Sequence, residues 1–244
     1  MTSPGRPDLS VVLPAYNLGP VIADNLQRVA KALAPLGTVE IVVVDDGSVD
    51  RTYQEAAGVA ADLPMTRVIR HDVNRGKGEA LFTGARSTTA ELVLFLDADL
   101  DLPPEQVPPL VEQMNGVDLL VGAKRKSMAE GRYPLARRVL SRIFALLTVG
   151  LFRLPVSESQ TGLKILRRPV IEKVLPQMRI RGYAYDLEML LRSHRQGMTL
   201  KEVAVELGDT ASTAPLRVRM LWQMGRDTFR LWWWTLSGRI PRGS

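Results

Sequence analysis

Apolar runs recur along the first half of the chain at residues 10–13, 39–44, 92–96 and 117–121, with a shorter one at 66–70. Near-continuous apolar residues predict strands buried on both faces. Between them the apolar positions switch to helical spacing. Residues 21–33 place Val21, Ile22, Leu26, Val29 and Leu33 on one stripe, closed by Pro35 and Gly37. Ser48 or Asp50 can cap a helix running to about Ala61, and the loop at 71–78 opens another through Ser87. Pro103 and Pro104 suit the first turn of a helix at 105–114, and 199–207 suits a late strand. Strands alternating with helices at this interval predict an α/β domain with a parallel, doubly wound sheet.

Polar clusters follow these strands directly: 14–17 (Pro-Ala-Tyr-Asn), 45–48 (Asp-Asp-Gly-Ser), 74–78 (Asn-Arg-Gly-Lys-Gly), 97–101 (Asp-Ala-Asp-Leu-Asp) and 124–126 (Lys-Arg-Lys). All five would lie on one rim of the sheet, where open α/β sheets place their ligands. Composition narrows the chemistry available there. The 244 residues contain no cysteine, which excludes disulfides, thiolate metal sites and a Cys nucleophile, and His71 and His194 are too few for a histidine-built zinc site. A net charge of +6 and a pI near 9.8 imply an anionic partner: nucleic acid, a phosphorylated substrate or an acidic membrane surface. The first eight residues are polar and carry no signal-peptide pattern, so a cytosolic setting is expected.

Asp97, Asp99 and Asp101 end the strand at 92–96 as alternate acids. Mg²⁺ or Mn²⁺ bound by one or two carboxylates plus substrate phosphates fits them. An EF-hand loop starting at Asp97 fails at its sixth and twelfth positions, Leu102 and Pro108. One of Asp45 and Asp46 can accept hydrogen bonds from a nucleobase N–H or ribose hydroxyls, while helix capping accounts for part of Asp-Gly-Ser. The loop at 74–78 has the composition of a phosphate-approaching loop without the spacing of a nucleoside-triphosphate loop, which excludes a motor or kinase assignment.

The ordered set Pro-Ala-Tyr-Asn, Val-Val-Asp-Asp-Gly-Ser, Asn-Arg-Gly-Lys-Gly, Asp-Ala-Asp-Leu-Asp and, at 160–164, Gln-Thr-Gly-Leu-Lys resembles glycosyltransferase family 2 over about residues 9–207. Within it the chain looks most like the dolichyl- or polyprenyl-phosphate sugar synthases. The resemblance implies a GT-A fold, a nucleotide-sugar donor (UDP- or GDP-linked), a divalent metal, inversion at the anomeric carbon and a polyprenyl-phosphate acceptor. It puts Asp97 and Asp99 on the metal and diphosphate, with Asp101 as a third ligand. The implied donor site comprises Pro14, Tyr16, Asn17, Asp45, Asp46, Gly47, Asn74, Gly76, Lys77, Gly78, Asp97, Ala98 and Asp99. Two departures stand out: Leu18 replaces a frequent glutamate after Tyr-Asn, and Gln-Thr-Gly-Leu-Lys replaces the Ser-Gly-Phe-Arg of mannose-type enzymes, nearer to the glucose type.

Lys124, Arg125, Lys126, Arg132, Arg137, Arg138 and Arg142 crowd one segment against Glu130 alone. Beside a metal site this segment reads as the dock for an acceptor phosphate: Lys124, Arg125, Arg137 and Arg138, joined by Gln160, Thr161 and Lys164. The apolar part of the next helix, 143–152, is much shorter than the ~20 residues of a bilayer span, and suits either the membrane interface or the core. In the helix expected over 183–196, Asp186 and Glu188 are two apart and point different ways, so one can serve the acceptor while the other is a surface charge or cap. Arg125, Lys164 and Asp186 join Asp97 and Asp99 as the catalytic candidates. Residues 1–208 thus read as the catalytic domain, a single mostly parallel Rossmann-like sheet flanked by helices.

Residues 209–244 read as a basic, Trp-rich tail carrying an amphipathic helix. Arginines among Phe229, Trp232, Trp233 and Trp234 suit a lipid headgroup region; a packing helix or oligomer contact are the other readings. The expected setting is peripheral, on the inner face of the cytoplasmic membrane. A phosphate acceptor is already ionised at pH 7 and requires no strong base, in keeping with two histidines. One rival is a soluble family-2 enzyme with a sugar or small hydroxyl acceptor, which would need Asp186 or Glu188 as base. A nucleic-acid-binding protein would explain the basic segments but not acids at two strand ends, and a catalytically dead membrane scaffold would not need intact metal acids.

Overall fold

Alternate residues of each central strand are divided between two apolar layers, and that division sets the architecture. Val12, Val42, Val44, Val93 and Phe95 face one layer; Val11, Leu13, Ile41, Val43, Leu94 and Leu96 face the other. A period-two backbone with apolar residues at every position has to be covered on both sides. The computed structural model describes residues 6–124, 150–158, 160–182, 184–208 and 218–240.

Seven strands form one sheet: β1 (Leu9–Ala15), β2 (Val39–Asp45), β3 (Thr66–Arg70), β4 (Leu92–Leu96), β5 (Leu119–Lys124), β6 (Leu163–Arg167) and β7 (Leu200–Val205), in the order β3-β2-β1-β4-β6-β5-β7. The helices are α1 (Ile22–Leu33), α2 (Thr52–Asp62), α3 (Lys77–Ser87), the short α4 (Val107–Val111), α5 (Tyr185–Arg195) and α6 (Val218–Leu236). Ile22, Leu26, Val29 and Leu33 of α1 with Val107 and Leu110 of α4 cover one face; Ala80 and Leu81 of α3, Leu187 and Leu190 of α5 and Leu231 of α6 cover the other.

Several sequence expectations shift. β1 runs through Pro14 instead of stopping before it. Its pairing with β4 ends at Val12↔Phe95, so beyond that point one flank of β1 makes no ladder that a proline would break. The helix expected at 105–114 is two 3₁₀ turns around the five residues of α4, because Pro103, Pro104, Pro108 and Pro109 interrupt its hydrogen bonding. Lys124 ends β5 instead of opening a loop. The sheet is mostly parallel, but β6 runs antiparallel to both β4 and β5 and separates them. That strand is absent from the sequence-based reading, since Leu-Lys-Ile-Leu-Arg carries a buried lysine in place of an apolar run.

Candidate active site

The C-terminal ends of β1, β2 and β4 open on one rim, and each following loop is tied to its neighbour. Asn17, at φ 53°, donates its N–H to Ser48 Oγ (2.9 Å) and accepts from the Val49 N–H through Oδ1 (3.0 Å). Leu18 N–H meets Thr52 Oγ1 at 2.7 Å and Gly19 N–H meets Asp50 Oδ2 at 3.0 Å. Asp50, one residue ahead of the formal cap of α2, also accepts the Thr52 N–H at 3.0 Å. Tyr16 is left exposed above this clasp.

Asp45 and Asp46 are both buried but have different partners. Asp46 accepts from the Arg75 N–H (2.9 Å), the Gly76 N–H (2.8 Å) and faces His71 Nδ1 (2.7 Å), whose Nε2 meets Thr83 Oγ1 (3.0 Å). Its carboxylate therefore shapes the Asn74–Gly78 loop and is fully engaged by the protein. Asp45 accepts the Ser48 N–H at 3.1 Å and is ion-paired with Arg70 Nε at 3.2 Å, without a well-aligned bond on Oδ2. Of the two acids, Asp45 is the one with hydrogen-bonding capacity in reserve. Gly47, at φ +70°, has no space for a side chain: a Cβ would lie 2.5 Å from the Val73 carbonyl carbon.

At the end of β4 the acidic triplet leaves the extended conformation. Residues 98–101 turn, with Leu100 at φ 53° and its N–H bonded to Asp97 O. Alternate spacing therefore no longer puts three carboxylates on one face. Among the described residues no three His, Cys, Asp or Glu side chains converge as a metal cage. Asp101 follows on the same turn, where its N–H donates to Asp99 Oδ1 at 3.3 Å and its charge acts on the Asp99 carboxyl. Two carboxylates with the remaining positions filled by phosphate and water still suit Mg²⁺ or Mn²⁺. The attraction of the site for a cation is visible directly: Lys77 Nζ lies 2.5 Å from Oδ1 and 2.7 Å from Oδ2 of Asp97.

The charges here act on one another. Burial alone would lower the Lys77 ammonium, but Asp97, Asp186 and Asp99 outweigh it and the pKa is raised. Desolvation by the surrounding protein, then the charges of Asp97 and Asp101, push the Asp99 carboxyl up to about 6, although its side chain remains solvent-accessible. A carboxyl raised above its unfolded value of 3.8 favours the fold when protonated and penalises it once ionised. In the absence of metal, Asp99→Asn is therefore expected to gain stability over wild type as pH rises from 3.8 to about 6, to hold that advantage above 6 and to lose it below 3.8, in thermal melts across this range.

The antiparallel course of β6 brings residues that precede it in sequence onto the same rim. Leu96 pairs with Leu163 and the Asp97 N–H donates to Gly162 O at 3.0 Å, so Gln160, Thr161 and Gly162 stand beside the metal acids. Gly162 is a site residue that the local pattern does not single out. A Cβ there would sit 2.5 Å from Cγ and 2.3 Å from Oδ2 of Asp97. Gly162→Ala is expected to displace that carboxylate and cut turnover about 10²-fold, with stability reduced by only about 1–3 kcal/mol, measured by single-turnover kinetics beside thermal melts.

Lys164, opposite Phe95, is 1% exposed; its Nζ donates to Thr161 O (2.6 Å) and pairs with Asp186 Oδ1 (2.7 Å) on α5. Burial raises the Asp186 carboxyl, against the lowering effects of Lys164 and Lys77. Lys164 is thus buried against Asp186 and the Thr161 carbonyl. Asp186 in turn links it electrostatically to Lys77. Glu188, expected as the acceptor-side acid or else a surface charge or cap, is instead fully buried: it accepts from Arg179 N–H (2.9 Å), Ile180 N–H (2.7 Å) and Arg192 Nε (2.8 Å). Those bonds hold the segment whose Arg181 carbonyl lies 2.8 Å from a Cβ placed on Gly78, so Glu188 acts on the Asn74–Gly78 loop through packing. Asn25, also missed, holds the acidic turn by donating to Ala98 O at 2.8 Å.

Lys124 reaches the rim with its N–H on Glu158 Oε2 at 2.9 Å. Arg125, Arg137 and Arg138, with the rest of the basic segment, lie outside the described residues. So does part of the tail. Its helix α6 packs through Leu231, with Trp232 and Trp234 partly buried, while Phe229, Trp233 and Leu236 face outward. No described helix is long and apolar enough to cross a membrane.

Comparison with known proteins agrees with this geometry. The chain is 30% identical over 241 residues to a dolichol-phosphate mannosyltransferase of Pyrococcus furiosus, covering 96% of this chain and 66% of that relative, so it spans just under two thirds of the relative's length. A dolichyl-phosphate beta-glucosyltransferase of Drosophila melanogaster is 28% identical over 244 residues, covering 92% and 74%. Among solved structures, glucosyl-3-phosphoglycerate synthase of Mycobacterium tuberculosis, in complex with Mn²⁺, UDP and glucosyl-3-phosphoglycerate, superposes with a TM-score of 0.64 at 25% identity, covering 98% and 82%. The profile of Glycosyl transferase family 2 matches residues 10–175. With that match spanning most of the sheet and every rim loop described above, the chain belongs to glycosyl transferase family 2.

Proposed function

We propose that this glycosyltransferase moves a sugar from a nucleotide diphosphate to a polyprenyl phosphate. The observation that carries the reading is the rim itself: Asp97 is paired with Lys77 at the start of α3, Asp99 acts on the same ammonium, and Asp45 ends the strand β2 on the same edge of the sheet. Two relatives that match nearly the whole chain are named for transfer to dolichyl phosphate. One is a mannosyl- and the other a glucosyltransferase, so they do not choose the sugar.

A divalent cation on Asp97 and Asp99 would supply charge neutralisation for the departing diphosphate. The residues of the chain do the rest. Asp45 and the loop after β1 position the nucleoside, and Lys77 faces the diphosphate. An acceptor phosphate oxygen attacks the anomeric carbon as the bond to the nucleoside diphosphate breaks, and no proton has to be removed because the nucleophile is already ionised. Asp46, Asp97 and Asp186 are each held by cations or backbone donors. That engagement suits one displacement with inversion better than a covalent glycosyl-enzyme.

A second reading has its own support. The solved mycobacterial neighbour is named for a small phosphorylated acceptor product, glucosyl-3-phosphoglycerate. Both readings share an anionic acceptor, and one experiment separates them: UDP- and GDP-sugars labelled in the sugar are incubated with Mg²⁺ or Mn²⁺ and either polyprenyl phosphate in vesicles or 3-phosphoglycerate. Label in the lipid phase supports the first reading. Label only in the aqueous phosphorylated product replaces it with the second.

The lipid reading assigns the outer face of α6 to the membrane surface on the cytoplasmic side. Phe229, Trp233 and Leu236 recur at i, i+4 and i+7 and are 61%, 54% and 62% exposed, with the Arg226 and Arg230 side chains beside them. Rings and cations in this arrangement favour an anionic headgroup layer. Phe229→Ser with Trp233→Ser is expected to weaken co-sedimentation with phosphatidylglycerol vesicles about tenfold or more while leaving the melting temperature near wild type. Unchanged vesicle binding would remove α6 from the membrane contact.

A further inference from the structure

Lys77 occupies the space that a metal ion would need. Its ammonium lies 2.5 Å and 2.7 Å from the two oxygens of Asp97, whereas Mg²⁺ sits about 2.0–2.1 Å from a carboxylate oxygen. An ammonium astride both oxygens takes the side on which a divalent ion facing them would bind, and the two charges repel, so each disfavours the other. Asp97 is not the group that yields, because the backbone of Gly162 closes its other side: a Cβ there would already lie 2.3 Å from Oδ2. The backbone around Lys77 is also fixed, through Asp46 and the N–H groups of Arg75 and Gly76. What can move is the lysine side chain, 41% exposed on a flexible stem.

We infer that Lys77 is an exchangeable counter-ion: it holds the metal site closed until the donor diphosphate arrives, so that metal and nucleotide bind as a coupled pair. The inference rests on reading Asp97 and Asp99 as the metal ligands. A metal ion alone must break the Lys77–Asp97 pair and leave the ammonium with only the longer-range attraction of Asp186 and Asp99. Asp186 is itself shared, its Oδ1 lying 2.7 Å from Lys164 Nζ. A diphosphate supplies the missing anion, and Lys77 passes from Asp97 to a phosphate oxygen as the metal takes its place. Coupling of this kind is reciprocal: the nucleotide tightens the metal by the factor by which the metal tightens the nucleotide.

The test is Mn²⁺ binding, followed by the paramagnetic resonance signal of the unbound ion, in wild type, Lys77→Met, Lys77→Gln and Asp97→Asn, each alone and with UDP or GDP. Wild type is expected to bind Mn²⁺ about tenfold or more tightly once one of the nucleotides is present. The two Lys77 variants are expected to bind Mn²⁺ alone about tenfold more tightly than wild type and to show a correspondingly smaller nucleotide effect. Lys77 variants with wild-type affinity for Mn²⁺ alone, against an Asp97→Asn that binds none, would overturn the exchange and leave the metal reading standing. An equal gain with and without nucleotide would reduce Lys77 to a through-space charge and also overturn it. Asp97→Asn binding Mn²⁺ as wild type does would remove the metal reading itself. The wild-type comparison does not depend on the variants folding: if neither nucleotide alters Mn²⁺ affinity, there is no coupling.

Discussion

Asp97→Asn should lower turnover by roughly 10³-fold, the rate equivalent of about 4 kcal/mol, while the protein still folds. Asp97 is where Lys77 and the backbone of Gly162 meet, and where the proposed cation would bind. The substitution keeps shape and removes charge, so the leaving diphosphate loses its anchored counter-charge. Stability should change little, because Lys77 and Asp97 are partly exposed and such pairs contribute only about 0–1 kcal/mol. The measurement is single-turnover transfer at saturating Mn²⁺ beside a thermal melt. Turnover within a few-fold of wild type would refute the assignment of this rim as the reaction centre.

The second large effect falls on stability. Lys164→Met should destabilise the fold by about 3–5 kcal/mol, because it strands the Asp186 carboxylate in a site where neither partner meets water. In a domain of this size that corresponds to a drop in melting temperature on the order of 10 °C. The deficit should shrink as pH falls. Burial already raises the Asp186 carboxyl, so without its cation Asp186 takes up a proton more readily, and the neutral acid no longer carries a buried charge. Combining Lys164→Met with Asp186→Leu should restore most of the stability, since an apolar pair can replace a buried ion pair at little cost. Activity should not return with it, because Asp186 also biases Lys77. A double variant no more stable than the single one would show that the pair is not the source of the effect.

These effects bear on how the site is assembled. Three of its parts are held by side chains from elsewhere: the clasp after β1 by Ser48, Asp50 and Thr52, the Asn74–Gly78 loop by Asp46, and the acidic turn by Asn25. Each is a polar group whose burial is offset by backbone N–H or C=O groups that would otherwise go unpaired. The rim is therefore rigid in its backbone and mobile in one cation, Lys77.

The chain taken as a sequence determined six of the seven described strands, their order along the backbone and the identity of the rim. Apolar runs report burial on both faces, and polar clusters immediately after them report strand ends; both are local properties. The acids Asp97 and Asp99 were legible for that reason, as was the basic glycine loop. What depends on partners distant in sequence was not legible. The antiparallel β6 carries Lys164 where an apolar residue was expected, and only the fold supplies Asp186 to neutralise it. Gly162 is an unremarkable glycine until β6 sets it against Asp97. Asp45 and Asp46 are equivalent on paper and are separated by which of them meets the 75–76 backbone. Glu188 reads as a helix-surface acid and is buried beneath the Asn74–Gly78 loop. Spacing along a strand suggested three acids on one face, but the chain turns after Leu96, with Leu100 in the left-handed region. A sequence states which groups are present and which face they share with near neighbours. Which charge compensates which is settled by distance in space, and that the tertiary structure alone decided.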